Sequence, residues 1–431
     1  MATVARDTVT LETSASTAES NHFQLNADEN FHFEILRVLS CATSNGADIA
    51  EVLARCPKIR PGDFESWASA WTELAERVEK QARESDPSTS SGKASARNAY
   101  LRAATYYRTA DFFLHGNPTD SRIMSLWAKH LEMFEAGIAL MPYETQRLRI
   151  PTPHGFHVPA TFYKASDGKK GPRPTLIIGN GFDGSQEEML HVIGWPALER
   201  GFNVFSYEGP GQPTVRRYQS LGFIPEWEKV VTPVVDYLYA HQKDLNVDVD
   251  KLGLWGHSMG GMLGLRAVAF EHRIKAFIAC DGVWNVDSII PRPLLARLDE
   301  GHADQLLKDI KGGNAETGLR WVMTHGSWVM FDEKQLPRGL QSPDDIKALV
   351  DKFRKFNLDG VVNQVTCKVF VGDADDDIFF MGQPKKLADA LGDKATYHVF
   401  SKADDSDAHC QVGAVAVLAQ KTMDWFEKVV N

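Results

Sequence analysis

The pentapeptide G-H-S-M-G at residues 256–260 constrains the fold of this chain more than any other feature. An apolar run at residues 251–255 precedes it, and a glycine- and leucine-rich stretch at residues 261–269 follows it. A serine at such a strand-to-helix junction adopts a strained turn, and its glycine neighbours let the backbones approach closely. The pattern predicts that Ser258 is a nucleophile on a sharp turn. The alternative is a glycine-rich turn that caps an ordinary helix.

Composition and charge exclude several classes of protein. The chain has 431 residues, 43% of them hydrophobic, which is enough for a substantial core. The formal net charge of −10 gives no support for nucleic-acid binding. The amino terminus lacks a basic patch followed by an apolar stretch, and no apolar run is long enough to span a membrane. We therefore expect neither a secretory signal nor a membrane protein.

The cysteines bear on the cellular location. They are Cys41, Cys56, Cys280, Cys367 and Cys410. Their odd number, their wide spacing and the absence of a C-x-x-C pair argue against a disulfide framework and against a zinc site. Reduced thiols and a cytoplasmic location are therefore expected.

Three regions are predicted along the chain. Residues 1–22 are rich in Ser, Thr and Ala and are expected to form a flexible tail. In residues 23–143 apolar side chains recur at helical spacing, which predicts an N-terminal helical domain. In residues 144–431 short apolar strands alternate with helices, which predicts an α/β catalytic domain with a mostly parallel central sheet. This alternation is interrupted at about residues 283–362 by mostly helical sequence, which predicts a helical cap over the active site.

The base that would activate the serine is predicted to be His409. A serine hydroxyl needs a base to remove its proton, and that base needs a carboxylate to orient it. His409 follows the last expected strand and a polar loop, in the serine–acid–histidine order that is typical of this motif. The alternative is a solvated loop histidine. His398 lies inside an expected strand and His257 beside the serine, so both are interpreted as packing residues.

The acid of the triad is expected after the strand that ends near Gly372, where several aspartates follow one another. The usual spacing from Gly372 points to Asp375, whereas alignment on the following aromatic pair points to Asp377. We favour Asp377 and keep Asp375 and Asp376 as alternatives. Asp281, after the preceding strand, is a further alternative, because an acid there could also reach the histidine.

The oxyanion formed by nucleophilic attack needs two N–H donors. One is predicted to be the amide of Met259, at the start of the helix that follows the serine. The other is expected from the glycine-containing loop at residues 179–185, and we assign it to Phe182. The alternative for that loop is a turn that simply ends a strand.

The predicted cap is rich in aromatic residues, and Trp321 is the candidate among them for contact with a substrate. Such residues could line an apolar pocket, although aromatic stripes more often form core.

Several linked motifs resemble the FrsA-like branch of the α/β-hydrolases. They are G-F-D-G-S-Q-E-E at residues 181–188, Y-E-G-P-G-Q at 207–212, G-H-S-M-G-G at 256–261, D-I-F-F-M-G-Q-P at 377–384 and H-C at 409–410. The helical segments at residues 100–103 and 106–113 take part as well. The chain is similar to fungal yellowish-green pigment hydrolases, which shorten polyketide chains, and to the hydrolases of cytochalasan and fusarin clusters.

The resemblance implies an α/β-hydrolase fold. It also implies cleavage of a carbon–carbon bond next to a ketone, or of an ester, in a polyketide-like molecule. In this family the acidic residues after the oxyanion loop can assist cleavage, which marks Glu187 or Glu188; the alternative for both is the first turn of a helix. Asp183 and Tyr107 lie in the matching motifs and are further candidates for contact with the substrate.

The loop before His409 departs from the family pattern. Residues 404–408 read D-D-S-D-A, where relatives usually carry glycines and a glutamate. The extra negative charge is expected to favour the protonated histidine. It also argues against assigning the substrate of the relatives to this chain.

Three functions follow from these observations. The first is a serine hydrolase that forms an acyl-enzyme on Ser258, the second an acyltransferase or cyclase with the same triad, and the third a non-catalytic ligand-binding homologue. No metal-ligand cluster, phosphate loop or dinucleotide fingerprint stands out, so neither a metal nor a cofactor is expected. The expected partner is a small polyketide-like molecule. A homodimer is compatible with the sequence, and the oligomeric state stays open.

Overall fold

The computed structural model describes residues 23–431, with the exception of residues 169, 291–297, 299–301 and 337. The predicted flexible tail, residues 1–22, lies outside the described residues. Parts of the predicted cap lie outside them as well.

The chain between residues 23 and 143 forms helices ahead of the sheet. In chain order they are α1 (Glu29–Ser40), α2 (Ile49–Leu53), α3 (Phe64–Glu84), α4 (Ser90–Asp111) and α5 (Arg122–Ile138). Helix α1 begins where the Asp28 carboxylate accepts a hydrogen bond from the Phe31 amide at 3.0 Å. The Asp63 carboxylate caps α3 in the same way. The apolar faces that predicted these helices are buried.

The strands form one sheet. They are β1 (Glu144–Pro151), β2 (His157–Lys164), β3 (Arg173–Gly179), β4 (Asn203–Tyr207), β5 (Val247–Gly256), β6 (Ala276–Ala279), β7 (Lys368–Ala374) and β8 (Ala395–Phe400). Within the described residues the order is β1-β2-β4-β3-β5-β6-β7-β8. The pairs β1–β2 and β2–β4 are antiparallel, and all later neighbours are parallel. The predicted mostly parallel α/β sheet is confirmed.

Further helices follow β3 in the chain, and some of them lie in the region of the predicted cap. They are α6 (Gln186–Met189), α7 (Trp195–Glu199), α8 (Pro213–Gln219), α9 (Glu228–Ala240), α10 (Gln242–Leu245), α11 (Gly260–Phe270), α12 (Ala303–Gly312), α13 (Thr317–Val329), α14 (Pro343–Phe353), α15 (Gln383–Leu391) and α16 (Val415–Val430). Of these, α12 to α14 fall in the predicted insertion. No helix in the described part of the chain combines the length and the apolar character needed to cross a bilayer.

Helix α13 connects the N-terminal helices to the carboxyl edge of the sheet. The Trp321 ring stacks on Phe112 with the ring centroids 5.1 Å apart. The Nδ1 atoms of His325 and His115 are 2.8 Å apart, and the Nε2 atom of His325 lies 3.3 Å from the Phe182 carbonyl oxygen. The loop after β3 is therefore packed beneath α13.

The helix after Ser258 lies very close to the neighbouring strand. A Cβ atom added at Gly261 would meet the Asp281 carbonyl oxygen at 1.9 Å, and one added at Gly264 would meet the Phe277 ring at 2.5 Å. Side chains at these positions would push α11 away from β6. The small residues after the serine therefore fix the distance between helix and sheet.

Replacing Gly261 by alanine is expected to lower the free energy of unfolding by about 1–3 kcal/mol, because the new methyl group overlaps backbone atoms that cannot move aside. Gly312→Ala is the matched control, since its Cβ would meet only the Asn314 Nδ2 atom, at 3.3 Å. The urea midpoint should fall for Gly261→Ala and stay near that of the parent for Gly312→Ala. Equal midpoints for the two variants would contradict the close packing of α11.

Candidate active site

Ser258 occupies the turn between β5 and α11 in a left-handed backbone conformation, with φ 56°. A non-glycine residue in this conformation costs on the order of 1–3 kcal/mol and persists only where its surroundings hold it. Here Gly256 contributes, because a Cβ on it would lie 2.1 Å from the Gly260 carbonyl oxygen. The sharp turn predicted from the pentapeptide is present.

Three side chains from separate parts of the sequence form a continuous hydrogen-bonded row. The Nε2 atom of His409 is 2.9 Å from Ser258 Oγ, and its Nδ1 atom is 2.9 Å from Asp377 Oδ2. Asp377 follows β7 and His409 follows β8, so both lie at the carboxyl edge of the parallel strands. Asp377 and His409 are buried, with 2% and 5% of their surfaces exposed. The arrangement can remove a proton from the serine hydroxyl.

Of the three candidate acids after β7, only Asp377 is in contact with His409. The amide of Asp375 donates to the Phe400 carbonyl at 3.1 Å, and the amide of Asp376 donates to the Asp407 carbonyl at 2.9 Å. These bonds fix the two loops to each other. The Asp377 carboxylate also accepts hydrogen bonds from the amides of residues 379 and 380, which orient it.

A second carboxyl group lies beside the imidazole. Asp281 Oδ2 is 3.0 Å from His409 Nδ1, almost as close as Asp377. Burial, together with the charge of Asp377, raises the pKa of Asp281 well above its ordinary value. Burial alone would also raise the pKa of Asp377, but the charge of His409 and its hydrogen bond lower it to about 2. Asp281 is therefore the neutral member of the pair, and Asp377 carries the charge.

The same pair sets the charge of the histidine. Burial alone would lower the pKa of His409, but the negative charge of Asp377 raises it well above its usual value. The sequence predicted this direction but attributed it to the aspartates of residues 404–408. That attribution is wrong, because the dominant charge is that of Asp377, which lies in direct contact.

The loop after β3 faces the serine. A Cβ on Gly181 would lie 2.8 Å from the His257 carbonyl oxygen and 3.0 Å from the Met259 amide nitrogen. Gln212 holds this loop, because its side-chain amide donates to the carbonyls of Asn180 and Gly181 at 2.7 and 3.1 Å. Gln212 lies in a different turn, at the end of the Y-E-G-P-G-Q motif at residues 207–212, and that motif alone did not indicate this contact.

Of the two predicted oxyanion donors, Phe182 lies within this loop and Met259 directly follows Ser258. Among the described residues, neither the Phe182 amide nor the Met259 amide donates to a protein acceptor. Both residues border the same cavity as Ser258. Free amides beside a serine hydroxyl can stabilise a developing oxyanion.

A cavity open to solvent borders the serine, with about 640 Å³ of empty space including its solvent-filled mouth. Its lining is mostly apolar and includes Ser258 and His409. The lining residues are Phe33, Glu34, Arg37, Asn180, Phe182, Asp183, His257, Ser258, Met259, Val286, Ile289, Trp321, Val322, Phe379, Phe380, His409, Cys410 and Val412. Trp321, predicted to contact a substrate, is in this position. Such a cavity suits a bulky, largely apolar ligand.

The remaining candidates from the family motifs lie in different surroundings. Asp183 borders the cavity. Glu187 is buried away from it and pairs with Arg147 Nη1 at 2.8 Å. The Tyr107 hydroxyl donates to Glu79 at 2.5 Å, so this tyrosine braces α4 against α3. Glu187 and Tyr107 are therefore not placed for contact with a substrate.

Helix α1 contributes Phe33, Glu34 and Arg37 to the lining of the cavity, which the sequence motifs did not predict. The sequence of α1 nevertheless contains an indication of this part of the cavity. Glu34 occupies a position between the buried residues Phe31 and Val38, at the helical spacing of the apolar stripe. A charged residue in a buried stripe indicates either a buried ion pair or a functional site.

Two overlapping sets of donor atoms in the described part of the chain lie within 4.8 Å of one another. They are His257, Cys280 and Cys410, and Asp281, His409 and Cys410. A thiol binds a metal as the thiolate. Burial raises the pKa of Cys410 to about 12, and His409 is already engaged by Ser258 and Asp377. These groups favour proton transfer over metal ligation.

Three fungal hydrolases are similar to this chain in sequence over nearly its whole length. Hydrolase acrC of Aspergillus aculeatus is 30% identical over 436 residues, which cover 94% of this chain and 98% of that protein. Hydrolase LUC6 of a Fusarium species is 31% identical, with coverages of 92% and 96%. The 20-hydroxy-prefusarin hydrolase FUS2 of Gibberella moniliformis is 29% identical, with coverages of 93% and 96%. No family model matches the chain.

Solved structures share the fold at lower identity. The 2,6-dihydroxy-pseudo-oxynicotine hydrolase superposes with a TM-score of 0.68 at 19% identity, covering 92% of this chain and 95% of its own. AbyA5 superposes with a TM-score of 0.60 at 15% identity, with coverages of 91% and 95%. At these identities the likeness concerns the fold.

The division of charge between the two carboxyl groups predicts how His409 titrates in variants. Asp281→Asn should leave the pKa of His409 raised, because the neutral member is removed. Asp377→Asn should lower it only in part, since Asp281 can then ionise. In the double variant, which carries both Asp281→Asn and Asp377→Asn, the pKa of His409 should fall to about 6.5 or below, a change of about 1–3 pKa units. NMR titration of the imidazole measures this. A larger fall for Asp281→Asn than for Asp377→Asn would contradict the assignment.

Proposed function

Since this chain belongs to the α/β-hydrolases of fungal secondary-metabolite pathways, as the sequence motifs predicted, we propose that it is a serine hydrolase. Its proposed reaction is cleavage of a carbon–carbon bond next to a ketone, or of an ester, in a polyketide-type molecule. The observation that carries the proposal is the row Asp377–His409–Ser258, with both hydrogen bonds at 2.9 Å, of which His409 and Ser258 border the mostly apolar cavity.

In the first step Ser258 Oγ attacks the substrate carbonyl while His409 Nε2 takes the hydroxyl proton. The charge of Asp377 stabilises the imidazolium that forms. The amides of Phe182 and Met259 are the proposed donors to the oxyanion, and the loss of one such donor typically costs about 3 kcal/mol of transition-state stabilisation.

In the second step the bond to the leaving group breaks, and His409 returns its proton to that group. For an ester the leaving group is an alkoxide. For a carbon–carbon bond it is a carbanion, which forms readily only when an adjacent ketone or electron-rich ring delocalises its electrons. Water then attacks the acyl-enzyme, with His409 again acting as the base.

The lining of the cavity supports a bulky, largely apolar substrate. Aromatic side chains of α1, the loop after β3 and α13 surround the serine, and aliphatic residues 286, 289 and 322 complete the apolar surface. The relative FUS2 is named for hydrolysis of 20-hydroxy-prefusarin. A polyketide-type substrate for this chain rests on that likeness together with the apolar cavity.

Ser258→Ala is expected to lower kcat by about 10⁴-fold or more, because no other hydroxyl occupies the turn. A fluorophosphonate probe followed by mass spectrometry should label the parent protein at Ser258 and leave Ser258→Ala unlabelled. Ser125→Ala, an exposed serine on α5, is the matched control and should be labelled like the parent. Turnover retained by a folded Ser258→Ala would contradict nucleophilic attack by this serine.

Hydrolysis and acyl transfer are separated by the origin of the oxygen in the product acid. Because water attacks the acyl-enzyme in our proposal, turnover in ¹⁸O-labelled water should place one labelled oxygen in the released carboxylate. Mass spectrometry of the product measures the label. A product without label would show that the acyl group passes to another acceptor, as in an acyltransferase or cyclase.

A further inference from the structure

The loop after β3 carries Phe182, the proposed oxyanion donor, and is held through its carbonyl groups. Gln212, in the turn after β4, binds the first two carbonyls of residues 180–183. Arg108 on α4 donates from Nη2 to the last of them at 3.4 Å. The Phe182 carbonyl oxygen lies 3.3 Å from Nε2 of His325 on α13. Side chains from three other parts of the chain therefore hold four consecutive carbonyls of this loop.

The bond to the Phe182 carbonyl bears on the Phe182 amide. The amide and the carbonyl of one residue are joined through only two rotatable backbone bonds, so a partner that holds the carbonyl restricts the direction of the amide. An oxyanion donor is effective when it is fixed in place before the reaction begins. The hydrogen bond from His325 therefore contributes to the fixed direction that the proposed donor needs.

His325 itself is buried beneath the cavity. Only 4% of its surface is exposed, and it is not among the described residues that border the cavity beside Ser258. Its ring stacks on Trp321, with the centroids 5.2 Å apart, and the Phe182 ring meets it edge-on at 4.9 Å. These contacts fix the plane of the imidazole. His325 can therefore act on the site only through the loop that it holds.

The hydrogen bonds of His325 determine which of its ring nitrogens carries the hydrogen. A carbonyl oxygen only accepts, so Nε2 must donate to Phe182. Burial, reinforced by the nearby His115, lowers the pKa of His325 to about 3, which leaves the ring neutral and its Nδ1 atom bare. The Nδ1 atom of His115 lies 2.8 Å from that bare nitrogen and must donate to it. The opposite tautomer of His325 would place a bare nitrogen against the carbonyl oxygen.

The chain of donors begins at a buried ion pair. Arg217 Nη2 contacts the Asp111 carboxylate and lies 3.1 Å from Nε2 of His115, which can accept from it. Burial lowers the pKa of His115, which favours its neutral form. A second proton on His115 would bond Asp111, 3.1 Å away, and would leave the bond to His325 in the same direction. Hydrogen bonds that follow one another in one direction polarise each other.

We propose that His325 is a positioning residue of the oxyanion hole, which holds the Phe182 amide in its direction by donating from Nε2 to the Phe182 carbonyl. It does not touch the reacting atoms. The inference rests on the proposed function, because an oxyanion forms only if Ser258 attacks a carbonyl. Helix α13 would then complete the oxyanion hole in addition to lining the cavity.

The test measures how fast an alkyl fluorophosphonate labels Ser258. In this reaction the bond between Oγ and phosphorus forms, fluoride leaves, and His409 takes the hydroxyl proton. The phosphoryl oxygen gains negative charge and occupies the place of the oxyanion. Rates at several probe concentrations separate the inhibition constant KI, which reports reversible binding, from the rate constant kinact, which reports bond formation.

Substitutions of His325 should change kinact and leave KI nearly unchanged. His325→Phe keeps a ring but removes the donor to the Phe182 carbonyl, so kinact should fall by about 10- to 100-fold. His325→Gln places an N–H donor where Nε2 stood and should recover kinact to within about threefold of the parent. His325→Asn places its amide where Nδ1 stood, so the carbonyl stays without a donor and kinact should be as low as in His325→Phe. The Asn and Gln variants keep the comparison intact even if the Phe variant does not fold.

Two controls separate positioning from a general loss of structure. His191 is also a buried histidine bonded to a carbonyl, with Nδ1 2.9 Å from the Ser44 oxygen, and it does not border the cavity. His191→Phe should therefore keep the kinact of the parent, even where its free energy of unfolding falls. The pKa of His409, measured by NMR titration, should be the same in the parent and in His325→Asn, because His325 does not contact the triad.

A further measurement needs neither catalysis nor a stable variant. In ¹⁵N NMR of the parent protein with labelled histidines, N–H and bare ring nitrogens have distinct shifts. We expect His325 to carry its hydrogen on Nε2 and His115 to carry one on Nδ1. A hydrogen on Nδ1 of a neutral His325 would overturn the proposal.

The kinetic outcomes are equally decisive. The positioning role is rejected by equal kinact in the parent and His325→Asn, by an equal fall in His191→Phe, or by a His325→Gln variant as slow as His325→Asn. A parent protein that is not labelled at Ser258 rejects the proposed function and this inference with it. Labelling of the parent at a rate that substitution of His325 does not change rejects the inference alone.

Discussion

The hydrogen bond between Ser258 and His409 depends on a backbone conformation that the serine would not adopt by itself. The left-handed turn holds the hydroxyl at the carboxyl edge of the sheet. It is maintained because α11 cannot move away from β6 without losing the close packing at Gly261, where a side chain would overlap the Asp281 carbonyl. The packing of α11 on the sheet therefore stabilises the strained conformation of Ser258, and it keeps the site as rigid as the core.

The same packing places Asp281 beside the imidazole of His409. The sequence therefore offers several aspartates that could serve as the acid of the triad. Asp375, Asp376 and Asp377 all directly follow β7, and their spacing alone does not show which side chain faces His409. The choice is made by backbone bonds between the loops after β7 and β8, at Asp375 and Asp376, which leave Asp377 facing His409. Two carboxyl groups within 3.0 Å of one nitrogen cannot both stay ionised when buried, so one of them holds a proton.

Local patterns predicted the strands, the turn at Ser258 and the positions of His409 and Phe182, because these depend on residues close in sequence. The fold class followed from the alternation of strands and helices. Tyr107 and Glu187, which the family motifs made candidates, do not border the cavity beside Ser258, since motifs identify positions without showing which way a side chain faces. The wall formed by α1 was missed because its contact with the histidine loop joins Ser40 to Gly413, far apart in the chain.

The contact between Ser40 and Gly413 brings two parts of the chain together at the cavity, and the two parts differ in what they contribute. The loops of the sheet hold Ser258, Asp377 and His409, the groups to which the proposed reaction assigns the making and breaking of bonds. Helices α1 and α13 supply further parts of the lining, α1 with the charged residues Glu34 and Arg37 and α13 with the apolar Trp321. Glu34, Arg37 and Trp321 make no hydrogen bond to Ser258 or His409 in the described structure, so substitutions at these three positions are expected to change the cavity more than the Ser258–His409 hydrogen bond. Selectivity for a substrate can therefore change in this fold while the reaction stays the same.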